Sequence, residues 1–164
     1  MANSLQVEFN YEILKQFNLR TAYKYYDIQT DYLSGTYQRP LQAKHRFFGN
    51  LSYETPLSDK GKQWRLDYTL NWLGKQQLPN TKTNPVNDQL PEFSPSFSVM
   101  NAQVTRVFST GFEVYLGGEN IGNYRQDKAI VGSENPFGTT FDTSMVYAPV
   151  FGQMYYAGLR FKMK

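Results

Sequence analysis

Hydrophobic and polar residues alternate with a period of two along much of the chain. Leu5, Val7, Phe9, Tyr11 and Ile13 share one face, and Gln6, Glu8, Asn10 and Glu12 the other. Successive side chains of a β-strand point to opposite faces, whereas a helix would spread these polar residues around its cylinder. The pattern therefore predicts a strand, and it recurs. Phe17, Leu19, Thr21, Tyr23 and Tyr25 mark a second strand, and Phe47, Gly49, Leu51 and Tyr53 a third. Trp64, Leu66, Tyr68, Leu70 and Trp72 mark the clearest, with a tryptophan at each end. Met100, Ala102, Val104 and Phe108 give a fifth, on whose apolar face Arg106 also falls; Phe112, Val114 and Leu116 give a sixth. Phe151, Tyr155, Ala157, Leu159, Phe161 and Met163 give the last.

The connections alternate as regularly as the faces. Those at 15–17, 57–61 and 109–111 are short; those at 33–42, 78–96 and 124–149 are long and rich in Gly, Pro, Asn and Thr. All long loops thus lie at one end of the strands. Outer-membrane barrels have this asymmetry, with short periplasmic turns and long extracellular loops, and their tilted strands need about 9–11 residues. Trp64 and Trp72 then read as membrane-girdle residues at the two interfaces, and Arg106 as a side chain snorkelling to a headgroup region. The expected fold is all-β, with about seven or eight antiparallel up-and-down transmembrane strands in one unit spanning residues 1–164.

Composition agrees with that picture. Thirteen Tyr, twelve Phe and two Trp make up 16% of a chain whose mean hydropathy is −0.58. Such aromatic content in so polar a chain suits a membrane barrel with aromatic girdles, or a β-rich binding protein. The net charge of +3 is dispersed, so no nucleic-acid surface is expected. With no cysteine and a single histidine, His45, neither a thiolate metal site nor a His-based triad can be built. Asp27, Asp31 and Asp88 do not have calcium-loop spacing. Gly117, Gly118 and Gly122 are not a dinucleotide fingerprint, because no helix pattern follows. No catalytic residue, cofactor site or metal site is predicted.

Two sets of side chains are candidates for contact with a ligand. Tyr32, Tyr37, Phe93 and Phe137 lie in the predicted loops and could stack on one. On the polar face, Arg20, Lys24, Arg46, Arg65 and Arg160 either line an anionic path or form an inner-wall network with Glu8, Glu12, Glu54, Asp67 and Glu113. The network is favoured, because acids and bases share the face.

Strand parity adds an expectation. Bacterial barrels have an even number of strands, and seven are counted here, so the first strand starts at the long-loop end. A start there suits a section of a larger barrel. An eighth strand through Phe141, Thr143, Met145 and Tyr147 would change the count.

Four stretches resemble the C-terminal part of the barrel of TonB-dependent outer-membrane receptors of the Bacteroidetes type. They are Asn3-Ser4-Leu5-Gln6-Val7-Glu8, Arg39-Pro40 with Lys44-His45-Arg46, Gly118-Glu119-Asn120-Ile121-Gly122-Asn123-Tyr124, and Tyr155-Tyr156-Ala157-Gly158-Leu159-Arg160-Phe161. The resemblance implies a section of a 22-stranded barrel whose plug and N-terminal strands are absent from these residues. It implies TonB-dependent uptake of a scarce ligand across the bacterial outer membrane: a ferric siderophore, haem, cobalamin or similar. It further implies outer-membrane lipid, the rest of the receptor chain, the TonB complex and the barrel-assembly machinery as partners. Tyr155, Leu159 and Phe161 would carry the assembly signal, although Phe161 stands three residues from the end. The alternatives are a complete small barrel with a structural or adhesion role, and a soluble β-sandwich binding carbohydrate. A barrel enzyme is the most distant, because a nucleophile, base and oxyanion set is lacking.

Overall fold

A computed structural model describes residues 1–33, 35–109 and 111–162, apart from the side chains of Tyr32 and Ser109. The strands are β1 Ala2–Leu14, β2 Phe17–Tyr32, β3 Gly35–Gln38, β4 His45–Glu54, β5 Gln63–Leu73, β6 Phe97–Ser109, β7 Phe112–Glu119 and β8 Met154–Phe161. They form one eight-stranded antiparallel sheet in the order β1-β2-β4-β5-β6-β7-β8, with β3 paired to β2 off that path, and the sheet is not closed. The described residues contain a short 3₁₀ turn at Val86–Asp88 and no α-helix.

The alternating segments form strands where the pattern predicts them, with three differences. β2 runs on to Tyr32, and β3 folds back onto that overhang through Gln29↔Gln38 and Thr30↔Tyr37. The region read as the first long loop thus contains a short strand. Residues 141–147 are not a strand: Asp142 makes only an isolated bridge to Val131. The last strand begins at Met154, so Phe151 precedes it, and Met163 lies outside the described residues.

Two tight turns show how the sequence sets the sheet's short-turn end. Between β1 and β2, Gln16 takes a φ of 71°, and its N–H donates to Glu12 Oε1 at 2.9 Å. Between β4 and β5, Gly61 takes a φ of 69° and donates to the Ser58 carbonyl at 2.8 Å, while Lys62 N–H donates to Ser58 Oγ at 3.0 Å. A left-handed residue at such a position costs least when it is glycine.

Register carries one apolar face across the whole sheet. Tyr11 pairs with Leu19, Leu19 with Leu51, Leu51 with Tyr68, Tyr68 with Ala102, Ala102 with Gly118 and Gly118 with Tyr155. A slip of one residue at any strand would send its apolar set to the other face. Nothing among the described residues covers this face: Leu5 is 62% exposed, Leu116 62% and Leu159 71%. The buried residues lie mostly beyond the strands at the long-loop end, where Ala43, Leu78, Val131, Met145 and Ala148 are buried as are the polar Gln76, Ser94 and Gln126.

Aromatic residues on the apolar face fall into two bands. Toward the short turns run Tyr11, the paired Phe17 and Tyr53, then Trp64, then the paired Phe112 and Phe161. Toward the long loops run Tyr23, Phe47 and Trp72 in one row, then Tyr155. Phe9 and Tyr68 lie between the bands. Tyr23, Phe47 and Trp72 lie level, but taken end to end both bands cross the strands obliquely. The row of Tyr53 reaches β7 at Leu116, four residues from Phe112, three strands away. The row of Tyr155 reaches β5 at Tyr68, four residues from Trp72, again three strands away and shifted in the same sense. From Tyr11 to Phe161 the shift is six residues over six strand spacings, and from Tyr23 to Tyr155 four residues over five spacings, so the strands tilt from the bands' normal by about 30–35°.

Candidate functional site

The opposite, polar face holds an ion cluster. Glu113 is the hub, with a side chain 14% exposed: Arg65 Nη1 lies 3.6 Å from its Oε2, and Arg160 Nη1 donates to its Oε1. Arg65 also approaches Glu54 at 3.9 Å. Tyr156 Oη bonds to Gln103 Oε1 at 3.1 Å, and Asn50 Nδ2 donates to Asp67 Oδ1 at 3.1 Å and Thr69 Oγ1 at 3.1 Å. Glu54, Arg65, Asp67, Gln103, Glu113, Tyr156 and Arg160 border a cavity of about 300 Å³ on this face. Register brings Glu113 beside Arg160 and Glu54 beside Arg65 as cross-strand pairs, where opposite charges attract.

Of the acid–base network expected on the polar face, Arg65, Arg160, Glu54 and Glu113 are joined. Lys24 and Arg46 form a separate group, with Lys24 Nζ 4.9 Å from the Tyr26 ring centre and the Arg46 guanidinium 5.5 Å from it, while Arg20 stands between Asn10 and Asn50 across the strands. Glu8 accepts from Gln6, and Glu12 from the Gln16 backbone. Neither glutamate has an ion-pair partner among the described residues.

The long-loop end is an ordered cap. Gln126 is its main clasp: Nε2 donates to the carbonyls of Lys128 at 2.8 Å and Met145 at 2.9 Å, and Oε1 accepts from Tyr147 N–H at 2.9 Å and Ala148 N–H at 3.2 Å. All four hydrogen-bonding positions of a buried amide are thereby used. Loops 78–96 and 124–149 are tied by Asp88, which lies 3.9 Å from Lys128 Nζ and accepts from Thr140 Oγ1 at 2.8 Å.

The stretch from Gly118 to Tyr124 ends β7 with a compact turn. Asn120, at φ 49°, is buried; its Nδ2 donates to the carbonyls of Tyr124 at 2.8 Å and Phe151 at 3.2 Å, and its Oδ1 accepts from Tyr124 N–H at 3.1 Å. The Tyr124 ring stacks on Phe97 at 4.8 Å. Burial, then the nearby Asp127 charge, raises the Tyr124 pKa above its usual 10.0. Tyr147 is raised too, by burial first, then by Tyr124 and Asp127.

The candidate loop aromatics sit in different elements. Tyr32 lies in β2 and Tyr37 in β3, so neither is a loop residue. The Tyr32 side chain lies outside the described residues. Tyr37 borders a second cavity of about 520 Å³, with Gln77, Lys82 and Glu92. Phe93 bridges to Gln77, and Phe137 stands 99% exposed in the last long loop.

On the apolar face, Trp64 is 44% exposed and Trp72 pairs with Phe47. Tyr155, Leu159 and Phe161 line the exposed face of β8. His45 opens β4, with Nδ1 2.6 Å from Tyr23 Oη. Asp27 lies 3.9 Å from Lys44 Nζ, and Asp31 accepts from Thr36 Oγ1 at 2.6 Å.

Sequence reasoning missed Gln126 and the closing role of Asn120. An asparagine just past a strand, before a tyrosine, was a usable signal for the second; a single glutamine in a long loop gave none for the first. Comparison with family models, curated proteins and solved structures gave no match.

Proposed function

We propose that these strands form part of the wall of an outer-membrane β-barrel of the TonB-dependent receptor type, in the bacterial outer membrane. One observation carries the membrane reading: an apolar face, in register across seven strands and uncovered, crossed by two aromatic bands inclined by about 30–35°. Membrane barrels have strands tilted by about 35–45° and aromatic girdles at both interfaces. β4 with 10 residues and β5 with 11 have the length such a crossing needs. A soluble sandwich would bury its apolar face against a second sheet, and the described residues form one sheet only. In water the exposed large side chains would each forgo about 1.5–3 kcal/mol of burial. Lipid is the cover that fits them.

The receptor reading rests on the four stretches of resemblance. In it the polar face, with the Glu113 cluster, looks inward along the path of a scarce ligand such as a ferric siderophore, haem or cobalamin, and β8 with Phe161 is read by the barrel-assembly machinery. The plug, further strands and the link to the TonB complex are supplied by polypeptide outside these residues. The role is binding and translocation without catalysis.

Refolding tests the membrane reading. The protein should require detergent or lipid and show heat-modifiable migration on a gel; a monodisperse protein in plain buffer would overturn it. For the receptor reading, in-frame deletion of the segment encoding these residues should abolish growth on limiting ferric siderophore, haem or cobalamin. Unaffected growth on all three counts against it.

A further inference from the structure

We propose that Lys24 and Arg46 form a binding site for the carboxylate of a ligand with an aromatic or apolar body, in the long-loop half of the polar face. The proposal deepens the receptor reading and rests on it for taking that ligand as the cargo. Lys24 and Arg46 are direct partners across the β2–β4 ladder. Like charges in that position repel. Both side chains are half-buried, so water and salt screen them only in part. Neither has an ion-pair partner among the described residues, and Arg46 Nε has no hydrogen-bond partner there.

The surrounding strands do not relieve the repulsion. From β1, Gln6 faces Lys24; Glu8 stands one rung away opposite Ala22 and accepts from Gln6 instead. From β5 the rungs of Arg46 and Phe48 are met by Leu73 and Asn71, both uncharged. The Tyr26 ring lies beside both cations, 4.9 Å from Lys24 Nζ and 5.5 Å from the Arg46 guanidinium. An aromatic face attracts cations but leaves their net charge unchanged. In the short-turn half of the same face, Arg65 and Arg160 are matched by Glu54 and Glu113. The fold thus supplies acids to one pair of cations and withholds them from the other.

The unmatched pair borders a cavity of about 310 Å³, lined also by Gln6, Ala22, Phe48 and Asn71. A carboxylate placed between an ammonium and a guanidinium accepts charge-assisted hydrogen bonds from both. The amides of Gln6 and Asn71 are further donors, and Phe48 and Ala22 offer an apolar wall to the rest of the ligand. Among the ligands of the receptor reading, haem with its propionates and ferric chelates of net negative charge meet this description. Cobalamin, whose outer groups are mostly neutral amides, does not.

The full chain is refolded in neutral detergent micelles and titrated with 2-naphthoate, with its uncharged amide 2-naphthamide, and with inorganic phosphate. Binding is read from NMR of the probes, using phosphorus for phosphate, after subtraction of empty micelles. Naphthoate should bind saturably and about tenfold more tightly than either comparison. Lys24→Gln and Arg46→Gln should each weaken it by about tenfold or more, while Lys15→Gln, which removes a like charge at the short-turn end, leaves it unchanged. Lys24→Glu separates a binding role from a structural one. It turns the repelling pair into an attracting one, so it should raise the urea midpoint while abolishing naphthoate binding. Equal binding of acid and amide, tighter binding of phosphate, an equal loss in K15Q, or a lowered midpoint in K24E overturns the proposal. Should the protein be monodisperse without detergent, the membrane reading fails on that result, and the same titrations in buffer still test the site. Unaffected growth of the deletion strain counts against the receptor reading alone, because the site is judged by the titrations.

Discussion

The Arg106 guanidinium lies 4.7 Å from the centre of the Trp64 ring, directly across the β5–β6 ladder. A cation on the apolar face is thereby covered by an aromatic at the short-turn band. Such a contact contributes about 0.5–1 kcal/mol when exposed and about 2 when desolvated. Trp64→Ala should therefore lower stability in lipid vesicles by about 2 kcal/mol, with packing loss included, and Trp64→Phe by clearly less. Urea titration followed by Trp72 fluorescence measures both; an unchanged midpoint for W64A would remove the girdle role of this residue.

The two faces should respond oppositely to charge. Leu51 lies between the aromatic bands on the apolar face, and its neighbour Ser52 lies on the polar face. Leu51→Arg is expected to destabilise the vesicle-embedded protein by about 2–4 kcal/mol. Ser52→Arg should change stability by under about 1 kcal/mol. Equal losses at the two positions would argue that neither face meets lipid.

Within the ion cluster, Glu113 should matter more than Glu54. It bridges two arginines with a side chain 14% exposed, whereas the Glu54 side chain is 50% exposed. Because Arg65 and Arg160 are themselves 45% and 61% exposed, solvent screening keeps even E113Q to about 1 kcal/mol and E54Q near zero. Paired denaturation curves of Glu113→Gln and Glu54→Gln test the ranking, and a larger loss for E54Q would reverse it.

Gln126→Ala removes a clasp that reaches residues 19–22 positions away. It leaves two carbonyls and two N–H groups without their partner, at a local cost of about 3 kcal/mol. Hydrogen exchange should quicken across 124–149 while the amides of β4 and β5 stay protected. Uniform loss of protection would mean that cap and sheet unfold together.

The cap should weaken at high pH. Tyr124 and Tyr147 have pKa values raised above 10.0, so the folded cap holds its phenol protons more tightly than the unfolded chain. Their contribution is complete below pH 10 and is lost as pH rises through the folded values. Asp142 works in the opposite sense: hydrogen bonds from Ser144, side chain and then backbone, lower its pKa, so its contribution is present above the carboxylate range and lost as pH falls through the lowered value. Asp127→Asn should bring Tyr124 ionisation closer to 10, read as tyrosinate absorbance against a Tyr124→Phe control. No change would exclude the Asp127 charge as a cause.

The alternation of Leu5 to Ile13, of Trp64 to Trp72 and of the other segments determined the strands, their faces and which ends carry long loops. These are legible because strand period and turn chemistry act within a few residues. Arg65 and Glu113 were legible as sharing a face for the same reason. Tertiary structure decided what long-range pairing controls. The register set the tilt of the aromatic bands and brought Glu113 between two arginines. Hydrogen bonds from Gln126 held 141–147 in the cap instead of a strand, while the overhang of β2 drew residues 35–38 into β3. A glutamine's partners twenty residues away leave no periodic trace, so only the folded chain reveals them.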